Sequence, residues 1–144
     1  MFSVLKIRRA EVKMAVALAH HNIPIAFMDH LSPMFKDMFP DSKIARGFAS
    51  ARTKTTCILN GALRPHFVEI LTEQMKTEPY AFAIDGSNDT DLDKMNPVTV
   101  RVFDSVKNQV CTRFLEMCLT LGPDAATARN IFEAMDRALE SRGI

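Results

Sequence analysis

The feature that most constrains the fold of this chain is a change in hydrophobic period at Pro79. Before Pro79, apolar residues recur every three or four positions, which is typical of helices that bury one face. After it, three short runs alternate from residue to residue, as in β-strands, and a helical run follows them. The sequence therefore predicts an α+β chain. Helices in residues 1–79 pack on a β-β-β-α unit in residues 80–144, a three-stranded antiparallel meander with one helix.

Helices are predicted in the first region over residues 6–20, 25–39, 43–49 and 55–77. Ser42 is a candidate N-cap because its hydroxyl can accept a hydrogen bond from the first turn. Pro33 predicts a kink or a fresh turn. Pro65 predicts a bend near Gly61, since a proline inside a helix removes one backbone hydrogen bond.

Strands are predicted over residues 80–85, 97–104 and 109–119, with a turn at 105–108. In the second strand Val98, Val100 and Val102 share one face, and Thr99, Arg101 and Phe103 share the other. A final helix is predicted to open at Gly122 and to end near Gly143.

Composition limits the class of protein. The hydrophobic fraction is 47%, which is normal for a globular domain, and no apolar run approaches the roughly 18 residues of a membrane span. The first residues carry too many charges for a signal peptide. Three cysteines are too few for a disulfide framework, so buried reduced thiols are predicted. An intracellular protein without a membrane partner is expected.

The charge is unevenly distributed along the chain. Residues 1–79 contain eleven Lys and Arg against seven Asp and Glu, whereas residues 80–144 contain seven against ten. Segment 42–68 has no acidic residue, and we call it the basic segment. Its cations are candidate nucleic-acid contacts because Lys and Arg at helix starts can bind phosphate: Lys43, Arg46, Arg52, Lys54 and Arg64. The alternative is an ordinary solvated helix start.

Asp85 is the candidate catalytic and metal-binding residue, because it stands at the carboxyl end of the first predicted strand. Asp89, Asp91 and Asp93 follow it, but the spacing does not fit a calcium EF-hand loop, and solvated loop carboxylates are the alternative. No cysteine or carboxylate stands at a metal-site spacing from the histidines.

Several stretches, in this order, resemble the hAT superfamily of DNA transposases, including its domesticated or fragmentary members. They are His30-Leu-Ser-Pro-Met-Phe-Lys-Asp-Met-Phe-Pro-Asp41, Ser50-Ala-Arg-Thr-Lys-Thr55, Phe82-Ala-Ile-Asp-Gly-Ser-Asn-Asp89, Asn96-Pro-Val-Thr-Val-Arg-Val-Phe-Asp104 and Arg113-Phe-Leu-Glu-Met117. The first two are similar to the helical region that precedes the family's catalytic domain, between it and a BED-type zinc finger. The others are similar to the start of that RNase H-like domain.

The resemblance implies a sheet of order 3-2-1-4-5 and a three-carboxylate site that binds Mg²⁺. Asp85 would be its first carboxylate, and the role of Asp89 stays open. In the family the second aspartate follows strand four and the glutamate lies on a later helix, beyond the counterpart of Ile144. The expectation is a nuclear transposase fragment or remnant that is inactive alone and binds no metal stably.

Two further hypotheses remain beside the transposase remnant. The basic segment could make the chain a nucleic-acid or protein interaction module without catalysis. The first strand would have an unpaired edge where the family's fourth strand pairs, and that edge could recruit another protein or a second copy.

Overall fold

The computed structural model of this chain describes residues 2–85, 94–122, 124–125 and 127–144. The chain divides into two compact units, Met1–Phe67 and Val68–Ile144. The first unit is helical, and the second combines helices with an antiparallel sheet. The predicted α+β class is confirmed.

The helical unit begins with α1 at Phe2–His20, followed by a short 3₁₀ turn at Ile25–Phe27, α2 at Met28–Met38, α3 at Lys43–Gly47 and α4 at Arg52–Ile58. Its hydrophobic core is formed by Leu18, Met28, Leu31 and Phe48, which pack together. Pro33 lies inside α2. Ser42 caps α3 as predicted, because its hydroxyl accepts a hydrogen bond from the N–H of Ala45 at 3.2 Å.

The predicted long helix changes its hydrogen-bonding pattern midway. A π-helical segment, Leu59–Leu63, separates α4 from α5, which spans Arg64–Thr77. The N–H of Arg64 donates to the carbonyl of Leu59, five residues back. Pro65 has no N–H to bond the carbonyl of Gly61, so the α-helical ladder is interrupted here for the reason that predicted a bend.

The boundary between the compact units falls inside α5. The predicted division at 79/80 follows the change of period, whereas the units divide after Phe67. The physical reason is that Leu71 and Met75 pack into the hydrophobic core of the sheet unit.

The sheet has the order β1-β2-β3, with β1 at Ala81–Ile84, β2 at Lys94–Asp104 and β3 at Gln109–Thr120. Both pairings are antiparallel, and Ile84 lies opposite Val98. Turn 105–108 joins β2 to β3 as predicted, and Asn108 adopts the left-handed conformation with φ 52°. Asp104 stabilises the turn, because its carboxylate accepts hydrogen bonds from the N–H groups of Val106 and Lys107.

One face of the sheet, which we call the inner face, is buried. The predicted valines Val98, Val100 and Val102 lie there, with Leu115 and Cys118 of β3. Residues of helix α6, at Ala128–Glu140, cover the same core. Each fully buried aliphatic side chain contributes about 1.5–3 kcal/mol, so this row provides much of the unit's stability.

Helix α6 begins later than predicted. Thr127, rather than the Gly122 region, is its N-cap, and the Thr127 hydroxyl accepts a hydrogen bond from the N–H of Asn130 at 3.4 Å. The helix begins after Thr127 because the side chain of this residue can accept a hydrogen bond from an N–H group of the first turn. None of the described helices combines the length and the apolar content that crossing a membrane requires.

Strand β3 contains a β-bulge. Thr99 lies opposite Phe114 and Val98 lies opposite Glu116, so Leu115 has no opposite residue on β2. Phe114 is about half exposed, whereas Leu115 is fully buried. The extra residue therefore shifts the alternation of β3: even-numbered residues face outward before the bulge, and odd-numbered residues do so after it.

Candidate functional site

Asp85 lies directly after β1, at its carboxyl end. Its N–H donates to the carbonyl of Pro97 at 3.4 Å, which continues the pairing of β1 with β2 by one residue. The residue is exposed to solvent. Since β1 is at one end of the sheet order, the outer edge of this strand pairs with no other described strand.

A metal centre would need further ligands around Asp85. Within the described ranges no three His, Cys, Asp or Glu side chains lie together in a way that could hold a metal ion. Asp89, Asp91 and Asp93 lie outside the described residues. The described part of the chain therefore does not fit a complete Mg²⁺ site, and the role of Asp85 stays a prediction.

Two cations of the basic segment are held by carboxylates of the helical unit. Lys54 donates to Glu11 at 2.6 Å, and Arg52 donates through Nε to Asp29 at 3.0 Å. The backbone N–H of Arg52 also donates to Asp29, at 3.0 Å. These contacts give Arg52 and Lys54 a structural role, and their contact with nucleic acid stays a prediction.

The Glu11 carboxylate is the centre of a buried polar cluster. Only 1% of Glu11 is exposed, although it lies on a helix among apolar residues. It accepts hydrogen bonds from Lys54 and from the N–H of Ala49 at 3.1 Å. Ser50, which follows Ala49, and Thr55 are fully buried, and their hydroxyl groups share a hydrogen bond at 3.1 Å. The sequence analysis treated Glu11 only as a charge, because a single acid in an amphipathic helix gives no signal of burial.

The other three cations of the basic segment are exposed. Lys43 and Arg46 lie on α3, and within the described residues neither makes an ion pair. Arg64 begins α5 and lines a groove of about 440 Å³ in the helical unit. Its walls are mostly apolar, with Val16 and Ala19 of α1 facing Leu59, Leu63 and Phe67.

The cysteines do not share one environment, so the prediction of buried thiols was wrong in part. Cys118 is buried, Cys111 is half-buried and Cys57 is exposed. Cys57 lies on α4, where Thr55 is the buried residue. Burial raises the pKa of the Cys118 thiol, which donates to the carbonyl of Ala134 at 3.6 Å.

The sheet face opposite the inner face, which we call the outer face, is apolar but exposed. Arg101 is the charged residue on this face of the described strands. Six large apolar side chains are between 44% and 58% exposed there: Met95, Phe103, Val110, Phe114, Met117 and Leu119. This surface was not predicted, because the bulge at Leu115 interrupts the simple period of two in β3.

Comparison with known proteins gave no relative: no protein-family model, no curated protein and no solved structure matches the chain. The resemblance to hAT transposases therefore stays a prediction.

Proposed function

We propose that the chain derives from a hAT-type DNA transposase, with residues 80–144 as the beginning of an RNase H-like domain and Asp85 as its first metal-binding carboxylate. The placement of Asp85 at the carboxyl end of an edge strand carries this proposal. The family's sheet order places strand one between strands two and four. Among the described strands, β1 lies beside β2 and pairs with no other strand.

The packing of the sheet unit supports the same relationship. A meander of three strands precedes α6, and α6 packs on the inner face through Ala134 and Leu139. A carboxylate at the end of an ordered strand is well placed to bind a divalent cation when other acids join it. One carboxylate does not position two ions for phosphoryl transfer, so these residues are inactive by themselves.

The metal-binding role of Asp85 is tested with Mn²⁺, whose unpaired electrons broaden the NMR signals of nearby amides. We expect weak binding that broadens the amide signals of Ala83, Ile84 and Asp85, and we expect Asp85→Asn to remove the broadening. Asp136→Asn is the matched control, because Asp136 is an exposed carboxylate on α6. Broadening that survives Asp85→Asn would overturn the role of Asp85.

The inactivity of the isolated chain is tested separately on duplex DNA. Purified protein with Mg²⁺ or Mn²⁺ should give no cleavage or joining above the metal-only background. Cleavage by the native chain that disappears in Asp85→Asn would contradict the proposed inactivity while supporting the proposed ancestry.

A second candidate function is DNA binding through α3. Lys43 and Arg46 are exposed on this helix and carry their charges without a described ion-pair partner. Each phosphate contact contributes about 0.9 to the slope of log affinity against log salt. We expect Lys43→Ala/Arg46→Ala to reduce this slope by about 2 units for duplex DNA.

The control for DNA binding is Lys13→Ala, because Lys13 is an exposed cation of α1 outside the basic segment. It should change the salt dependence less than the two α3 substitutions do. Binding that is independent of salt, or an equal slope for native and Lys43→Ala/Arg46→Ala protein, would exclude this function.

A further inference from the structure

The outer edge of β3 is long and exposes its backbone for further pairing. The strand contains 12 residues, in contrast to 4 in β1, and among the described strands it pairs with β2 alone. Proteins usually protect such an edge with a short strand, proline, lysine or an inward-pointing charge. β3 has no proline, glycine or lysine along its length. Its two inward-pointing charges, Arg113 and Glu116, are each held in an ion pair, with Asp104 and Arg142. An edge of this kind is a template for another strand.

We propose that the partner of this edge is a second copy of the same chain, paired antiparallel through β3 around a two-fold axis. In the register with full overlap, Gln109 of one copy lies opposite Thr120 of the second copy. Such an isologous interface uses the same surface on both copies, so any favourable contact in it occurs twice.

The β-bulge makes this full-length register consistent with the faces of the sheet. An uninterrupted strand with an even number of residues would place inward side chains opposite outward ones in that register. The extra residue Leu115 shifts the alternation near the middle of β3. Both copies contain the same shift. On either side of the bulge, each inner-face residue of one copy therefore lies opposite an inner-face residue of the second copy, and each outer-face residue lies opposite an outer-face residue. Only Phe114 and Leu115, next to the two-fold axis, meet across faces.

The outer-face residues of β3 are complementary in this register. Val110 lies opposite Leu119 of the second copy, and Thr112 lies opposite Met117 of the second copy. All four are exposed in the single chain. Pairing them would join two apolar outer faces into one six-stranded surface and would cover part of each side chain.

The charged residues of β3 support the same register. On the inner side, Arg113 lies opposite Glu116 of the second copy, and the relation is repeated by symmetry. Arg113 already pairs with Asp104 at 2.9 Å, and Glu116 already pairs with Arg142. In the dimer, Asp104 and Arg113 of one copy and Glu116 and Arg142 of the second copy would therefore form a row in which acidic and basic side chains alternate. Like charges opposite each other would instead oppose pairing.

Sedimentation equilibrium of the full chain tests whether the dimer forms. We expect a monomer–dimer equilibrium, and Leu119→Lys should weaken dimerisation at least tenfold, since lysine on an edge strand disfavours pairing. Phe103→Lys is the matched control: Phe103 is equally exposed on the outer face but belongs to β2. A native chain that stays monomeric at high concentration would overturn the proposal. An equal effect of Phe103→Lys would do so too, because it would indicate face-to-face stacking.

Disulfide crosslinking tests the register in a cysteine-free background. A mixture of Val110→Cys chains and Leu119→Cys chains should form a mixed disulfide dimer on mild oxidation, since side chains on directly opposite positions approach closely. A mixture of Val110→Cys and Phe114→Cys chains should not. Equal crosslinking of the two mixtures, or none in the first, would overturn the proposed pairing.

Discussion

The two units of this chain use polar groups in different places. The helical unit buries a carboxylate, Glu11, at its centre and satisfies it with Lys54 and the Ala49 N–H. The sheet unit has an apolar centre built from Val98, Val100 and Leu115. Its charged pair between Asp104 and Arg113 lies near the β2–β3 turn. Both units therefore have an apolar core, and the first adds an ion pair to a buried carboxylate.

This difference determines how each unit responds to substitution. Truncating an aliphatic side chain in a packed core loses the transfer free energy of the removed atoms and leaves a cavity. Removing one partner of a buried ion pair leaves the other charge without compensation. An exposed pair costs little because water replaces the lost contact.

The largest effect is expected for Leu115→Ala in the sheet unit. Since Leu115 is fully buried, its truncation should lower the free energy of unfolding by about 2–5 kcal/mol. Hydrogen exchange of the β2 amides, at a protein concentration that favours the monomer, would measure it. The control Phe114→Ala changes an exposed neighbour and should cost less than about 1 kcal/mol. Equal effects of the two variants would show that the bulge does not separate the faces as described.

An intermediate effect is expected for Lys54→Ala in the helical unit. The charged hydrogen bond to Glu11 is lost, which should lower the free energy of unfolding by about 1–3 kcal/mol. Hydrogen exchange of the α1 amides would report it. Arg52→Ala should cost about 0–1 kcal/mol, because both Arg52 and Asp29 are accessible to water.

A double variant sharpens this comparison. Glu11→Gln/Lys54→Met removes both charges and should recover part of the stability that Lys54→Ala loses. If the double variant is no more stable than Lys54→Ala, the buried charge of Glu11 is not the cause of the loss.

The smallest effect is expected at the β2–β3 turn. The N–H groups of Lys107 and Val106 and the charges of Lys107 and Arg113 lower the pKa of Asp104 below its ordinary value of 3.8. A carboxyl whose pKa is lower in the folded chain stabilises the fold above its unfolded pKa. That contribution is lost as the pH falls through the folded pKa. NMR titration of the turn amides below about pH 4 should show this loss. Asp104→Asn should remove it, and an unchanged titration would exclude Asp104 as the cause.

Apolar periodicity made much of the architecture predictable. The alternation of Val98, Val100 and Val102 correctly predicted that they share one face, and Ser42 correctly predicted a cap. Pro65 marked the position where the helical ladder changes. These features depend on local steric and hydrogen-bonding rules, so the sequence carries them directly.

The rest depends on contacts between residues that are distant along the chain. The burial of Glu11 depends on Lys54 and on Ala49, 38 residues away. The outer face depends on a bulge that reverses the alternation of the β3 side chains after Leu115. No residue type at that position predicts a bulge. Asp85 could be placed at a strand end from the sequence, but the ligands of a metal site must come from elements that only a fold brings together.

The π-helical segment makes the long helix tolerant of a change in its length. A π turn contains one residue more than an α turn, so deleting one residue within Leu59–Leu63 would remove the π turn, although Pro65 would still lack its N–H. The same deletion inside α5 would rotate the residues after it by about 100° and turn Met75 away from its core. Segment 59–63 is therefore the part of the long helix that should best tolerate the loss of one residue.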